Sequence, residues 1–254
     1  MWGEALPLAG RPARFRLWLN RFDRVIVLSE AGRRMAGATG VEPDRIRVIP
    51  LFCPPPAARP PEPPEPPRVL YAGWIQQRKG LHVLIQAWPG VLARLPAARL
   101  CIIGETTEPA YAESLRRDAL RLGVADSLEW AGRRTRGEVA AEFARAHAVA
   151  IPEQWENVSP VILGEALAAG VPVVASRVGG MTELLRDGVN GLAVPPDSPE
   201  AFTRALLEIL TDPERRRQLA DGALETIRRQ RNPDDITRTW LSLYRELAAH
   251  PAGG

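Results

Sequence analysis

The chain has 254 residues, 45% of them hydrophobic and 25% charged, with 33 basic against 30 acidic side chains for a net charge of +3. These proportions describe a folded chain of one large domain, or one domain plus part of a second, and exclude disordered, collagenous and disulfide-scaffold classes. A charge of +3 gives no support for a nucleic-acid partner. No apolar run approaches the roughly 18 residues needed to cross a bilayer, and no signal-peptide pattern follows Met1, so a cytoplasmic location is expected.

In chain order, the first elements are an Arg-rich amphipathic stretch from Arg11 to Arg21, a strand-like run Arg24 to Leu28, a helix opened by Ser29 and Glu30, and a strand Ile46 to Ile49. Residues 50–67 then hold ten prolines in eighteen positions, which predicts a stiff extended linker. Beyond it, short aliphatic runs alternate with amphipathic stretches. The predicted strands are Val69 to Ala72, Leu100 to Ile103, Leu128 to Ala131, Val149 to Pro152, Pro172 to Ser176 and Leu192 to Val194. Helices are predicted near 80–94, 110–122, 137–146, 160–169 and 181–186, then at 198–211, 213–230 and 234–248. This βαβα order implies an α/β fold, a doubly wound parallel Rossmann-like sheet. The expected division is 1–49, the linker at 50–67, a Rossmann-like domain over 68–230, and a C-terminal helix and tail at 231–254. Ligands in such sheets bind beyond the carboxyl ends of the strands, so the loops after Ala72, Ile103, Ala131, Pro152 and Ser176 are the expected place for a site.

The first of these loops contains the only lysine, Lys79, among 32 arginines. A compact ammonium and a planar guanidinium are not interchangeable at a tight phosphate site. Arg78 and Lys79 precede a helix whose positive end disfavours cations, so either a bound anion supplies the missing charge or the pair is solvated at a loop tip. In the run 156–176, Ser159 reads as an N-cap, Pro160 as the first helical residue, and Gly170 as the end. Glu165 projects from the apolar face of that helix, where it needs partners: paired hydroxyls such as those of a ribose, or an internal arginine. Ahead of it, Glu153, Trp155, Glu156 and Asn157 cluster, and the backbone N–H groups of Val158 to Val161, Pro160 apart, point outward; together they read as a cradle for a polar substrate, with a solvated acidic loop, usual for any one of these residues alone, as the other reading. Gly179 and Gly180 read as a strand-to-helix turn. His82, His147 and His250 have no companions at metal or triad spacing, and Cys53 and Cys101 read as structural or incidental. No metal site is expected, and neither a nicotinamide-binding nor a P-loop glycine pattern occurs.

The strings GWIQQRKG (73–80), LCIIGE (100–105), LEWAG (128–132) and the run from Trp155 through EALAAGVPVVASRVGGMTELLRDGVNGLAVP to Pro195 together resemble the nucleotide-sugar-binding half of the retaining GT-B glycosyltransferases, the family-4 group (glycosyl transferases group 1). The similarity covers roughly residues 21 to 230. It implies that Lys79 binds the donor diphosphate, and that Glu165, as the second glutamate of an E-x7-E motif, holds the ribose hydroxyls. Glu156 is the candidate for the first glutamate, which contacts the transferred sugar, so Lys79 and Glu156 are the implied catalytic groups. Glu156 and Glu165 are nine positions apart where the motif has eight, so either a bulge before Ser159 absorbs the extra residue or Asn157 serves instead. Trp74 stands where the family usually has arginine, which puts Arg78 forward as its substitute. Base recognition after the LEWAG strand points to Arg134.

The resemblance also implies that residues 1–49 are a remnant of an N-terminal acceptor domain, that the proline stretch links the two domains, and that 68–230 is the donor domain. The expected activity is retaining glycosyl transfer from a nucleoside-diphosphate sugar to a glycan, lipid or small-molecule acceptor, without a metal cofactor. The chain alone is expected to bind donor, with transfer depending on an acceptor domain. A non-catalytic nucleotide-sugar-binding subunit and a GT-B sugar-nucleotide epimerase are the alternatives. The basic aromatic segment RFRLWLNRF allows peripheral membrane contact, with packing on the acceptor domain as the other reading.

Overall fold

The computed structural model describes residues 19, 21–54 and 62–249. The expectations for Arg11 to Arg21 other than Leu19 and Arg21, for most of RFRLWLNRF, for the prolines within 55–61 and for His250 fall outside the described residues. The rest forms two compact units, one of the residues up to Phe52 together with those from Arg231 onward, the other Cys53–Gln230.

The smaller unit pairs β1 (Val25–Val27) in parallel with β2 (Ile46–Val48). Between them, α1 (Glu30–Ala38) starts where Ser29 Oγ accepts from the Gly32 N–H at 3.0 Å, the cap expected at that serine. The last helix, α9 (Pro233–Ala249), belongs to this unit: Ile236 and Leu243 are buried with Ile49, and Ile26, Trp240 and Leu247 pack around them. Arg24 and Arg47 both pair with Glu246 on that helix. Residues at the two ends of the sequence therefore share one core, a long-range pairing that local periodicity does not encode.

The larger unit is a six-stranded sheet, entirely parallel, in the order β5-β4-β3-β6-β7-β8. Its strands are β3 (Arg68–Ala72), β4 (Arg99–Ile103), β5 (Leu128–Gly132), β6 (Ala148–Ile151), β7 (Val173–Ser176) and β8 (Gly191–Val194). The helices are α2 (Leu81–Leu92), α3 (Pro109–Arg121), α4 (Arg136–Phe143), α5 (Val161–Ala168), α6 (Met181–Leu184), α7 (Pro199–Thr211) and α8 (Pro213–Gln230). Alternate strand residues feed two cores. Val69, Tyr71, Leu100, Ile102, Ala148 and Ala150 meet α2, α3 and α7, whereas Leu70, Cys101, Ile103, Val149 and Ile151 meet α4, α5, α6 and α8. Burial on both faces is why these strands read as continuous apolar runs rather than alternating ones. Trp88 anchors the first core with its indole N–H donating to Ser127 Oγ at 2.8 Å.

The sheet is the doubly wound arrangement expected from the βαβα pattern. Its strand order reverses between β3 and β6, from which successive strands run outward in opposite directions. The carboxyl ends of these two strands are where a doubly wound sheet is expected to place its ligand crevice. The helices predicted over 137–146 and 181–186 end earlier, at Phe143 and Leu184, and the predicted cap of α5 also differs. Helix α5 begins at Val161 with Pro160, which has no capping side chain, as its N-cap, and the Ser159 N–H donates to Asn157 Oδ1 at 3.2 Å.

His147 immediately precedes β6, only 1% exposed, and its Nδ1 accepts from the Arg68 N–H at 3.1 Å. The proton of the neutral ring therefore sits on Nε2. Burial lowers its pKa from the ordinary value of 6.5, and the Arg216 charge lowers it further. Burial also lowers that of His82. A histidine depressed in the folded state binds fewer protons than the unfolded chain, so its stabilisation is present above about pH 6.5 and fades as pH falls toward the folded pKa. Thermal melts between pH 7 and pH 5 should accordingly show a shallower loss of stability with acid in His147→Gln than in the unsubstituted protein. Equal slopes would mean that this ring does not report on acid unfolding.

Candidate functional site

The loop after β3 stays close to the strand beside it. The Gly73 N–H donates to Ile103 O and the Ile75 N–H to Glu105 O, each at 2.9 Å. The chain then tightens into a 3-10 turn, Gln77–Lys79, closed by Gly80 at φ 72°. A side chain at Gly80 would place its Cβ 1.7 Å from Pro152 O, and the Gln154 N–H donates to Arg78 O at 2.9 Å. The loops after β3 and β6 are thereby joined backbone to backbone across the point where strand order reverses.

Between these loops and α5 lies a cleft of about 670 Å³, within the range of roughly 300 to 1,000 Å³ usual for small-ligand sites. Lys79, Glu153, Asn157, Ser159, Glu165 and Arg134 all line it, with Tyr71 and the exposed Trp74. Burial raises the Tyr71 phenol well above its usual pKa of 10, with Tyr111 and Glu153 adding to the effect; its hydroxyl donates to Trp74 O at 2.9 Å.

Lys79 ends that 3-10 turn directly before Gly80, the N-cap of α2, and its side chain is not free in solvent. Its Nζ sits 2.8 Å from Glu153 Oε1 and 3.1 Å from Oε2, with the lysine side chain 19% and the glutamate side chain 2% exposed. Glu153 also accepts from Trp155 Nε1 at 2.5 Å and from Asn157 Nδ2 at 3.2 Å. Arg78 is exposed and outside the cleft lining; its guanidinium stacks over the Trp155 ring at 4.4 Å and its Nε donates to Gln76 Oε1.

Glu165 lies on α5, 22% exposed, and faces the cleft. Its nearest cation is Arg136 Nε at 3.6 Å, a side chain 90% exposed, so the internal arginine considered from sequence is present only as a long, solvated contact. Arg134, which also lines the cleft, is 3.7 Å from Glu138. Glu138 completes a capping box with Thr135 that fixes the start of α4; the Thr135 backbone N–H lowers the Glu138 carboxyl below its usual pKa.

In the loop between Glu156 and α5 the Asn157 N–H donates to Trp155 O at 2.8 Å. Glu156 is exposed and Val158 half-buried, both outside the cleft lining, while Asn157 and Ser159 line the cleft. Gly179 and Gly180 hold the segment from behind. A Cβ at Gly179 would lie 2.5 Å from Asn157 O, and one at Gly180 2.2 Å from Val158 O. Their close backbone approach is thus to the protein's own loop, in keeping with their reading as a turn. What the sequence did not single out is Glu153 as the partner of Lys79, although a glutamate directly after a buried strand, facing the only lysine, was the available signal.

Among the described residues no three histidine, cysteine or acidic side chains converge as metal ligands. No described helix is long and apolar enough to cross a membrane.

Residues 57–226 match the family described as glycosyl transferases group 1. The chain is 35% identical over 237 residues to the D-inositol 3-phosphate glycosyltransferase of Acidothermus cellulolyticus, covering 85% of this chain and 51% of that protein. It is 34% identical to the lipopolysaccharide core biosynthesis glycosyltransferase LpsE of Rhizobium meliloti, covering 74% of this chain and 52% of that protein. The chain thus spans about half the length of the curated relatives it matches. Among solved structures, sucrose-phosphate synthase from Thermosynechococcus elongatus superposes with a TM-score of 0.78 at 27% identity, covering 97% of this chain and 64% of that one. Anabaena Alr3699/HepE in complex with UDP-glucose superposes with a TM-score of 0.80 at 21% identity, covering 91% and 66%, a likeness of fold.

Proposed function

Because the chain belongs to the glycosyl transferases group 1 family, we propose that its cleft binds a nucleoside-diphosphate sugar and that the protein serves as the donor half of a retaining glycosyltransferase. The observation that carries this reading is the placement of Lys79 and Glu165 around one cleft at the point where strand order reverses. Lys79 meets the diphosphate, with the first-turn N–H groups of α5 at Val161 and Ile162 adding positive potential. Glu165 accepts two hydroxyls of the ribose, and Arg134 stands beside the base. As the glycosidic bond breaks, the leaving diphosphate gains charge, and the fixed ammonium and amide dipoles stabilise it electrostatically. Asn157, turned inward where Glu156 is turned out, is the nearer of the two to a bound sugar.

The UDP-glucose complex of Anabaena HepE makes UDP the first probe to try. The acceptor is proposed to be held by a further domain, of which the unit containing β1, β2, α1 and α9 forms the end. Lys79→Arg should weaken UDP binding by more than about 1 kcal/mol, because a planar guanidinium cannot reproduce the compact ammonium at a diphosphate. Isothermal titration calorimetry measures this directly, and an unchanged affinity would remove the phosphate role from Lys79.

A further inference from the structure

The cleft contains its own negative charge at the place the donor reading gives to phosphate. Glu153 is 2% exposed and contacts Lys79 Nζ through both carboxylate oxygens, at 2.8 and 3.1 Å. The carboxylate is the more deeply buried partner, so an incoming anion meets the ammonium first, with Glu153 directly behind it. Trp155 Nε1 and Asn157 Nδ2 hold the same carboxylate from other sides, which prevents it from swinging away when Lys79 is engaged elsewhere. The loop junction at Gly80 and Pro152 in turn fixes the spacing between the two side chains.

From this geometry we infer that Glu153 is a resident counter-ion that sets the affinity of the cleft for a diphosphate, a role that rests on the donor-binding reading. A lysine with no partner presents a full positive charge; a lysine paired with a buried glutamate presents a dipole. Binding of a diphosphate must then weaken the Lys79–Glu153 pair and bring a second anion close to a carboxylate that cannot move. The consequence is a lowered affinity for the donor and for the nucleoside diphosphate left after transfer, which favours release of that product. Residues that touch only the nucleoside do not sense this charge.

Two measurements test the inference. Glu153→Gln removes the charge while keeping the size and an oxygen to accept from Trp155. It should raise the affinity for UDP about tenfold in calorimetry and leave that for uridine unchanged. The second needs no variant: because Lys79 is the only lysine, nitrogen-15 lysine labelling gives one side-chain ammonium signal, which should shift on saturation with UDP and not with uridine. UDP binding by the unsubstituted protein together with an equal or weaker UDP affinity in Glu153→Gln would overturn the counter-ion role and leave the donor reading standing. So would an unmoved lysine signal at saturation with UDP. Failure of both proteins to bind UDP, ADP or GDP would remove the donor reading, and the counter-ion role with it.

Discussion

Gly80→Ala is expected to cost at least about 3 kcal/mol of folding stability and to abolish diphosphate binding, the larger of the effects predicted for single substitutions in this cleft. Two costs combine at this position. The residue sits at φ 72°, where a side chain strains the backbone, and its Cβ would lie 1.7 Å from Pro152 O, an overlap that only movement of one backbone segment can relieve. That movement separates the loop carrying Lys79 from the loop carrying Glu153. Gly123 provides the comparison: its φ is 69°, but a Cβ there meets nothing within 4 Å. Gly123→Ala should therefore lose only about 1 kcal/mol, the conformational cost alone. Urea denaturation of the two variants separates the terms. Similar losses in both would show that the contact with Pro152 contributes nothing and that the loops are positioned by other means.

The contrast between these glycines indicates which parts of the molecule a sequence reveals. The strands from Arg68 to Val194 were legible because a sheet buried on both faces needs uninterrupted aliphatic runs, and helices covering both faces must alternate with them. Lys79 was legible as an exception among arginines, and Glu165 as a charge on an apolar helix face. Local spacing carried less information in the loop from Pro152 to Pro160, where the direction of each side chain depends on contacts distant in sequence. There Asn157 engages Glu153 and the Ser159 N–H, and Gly179 and Gly180 press against its backbone. Glu156 is exposed there, and Pro160 rather than Ser159 is the N-cap of α5. The pairing of Lys79 with Glu153 spans 74 positions, and α9 joins β1 and β2 across most of the chain. Neither follows from periodicity, which reports only on neighbours within a few turns.

Replacing Glu165 with alanine is expected to weaken UDP binding by roughly 2 to 3 kcal/mol, the range for hydrogen bonds to a charged acceptor in a site partly shielded from water. The unsubstituted protein should bind UDP more tightly than 2′-deoxy-UDP. In Glu165→Ala the two should bind almost equally, because the group that distinguishes them is gone. The competing explanation is that Glu165 serves mainly as the partner of Arg136. At 3.6 Å from a side chain 90% exposed, that ion pair contributes little, and Arg136→Ala should leave both nucleotide affinity and melting temperature nearly unchanged. The pair of variants therefore separates a ligand-facing carboxylate from a structural one. If Arg136→Ala reproduced the loss seen in Glu165→Ala, or if Glu165→Ala weakened UDP and 2′-deoxy-UDP to the same extent, the ribose contact would have to be assigned to another residue lining the cleft.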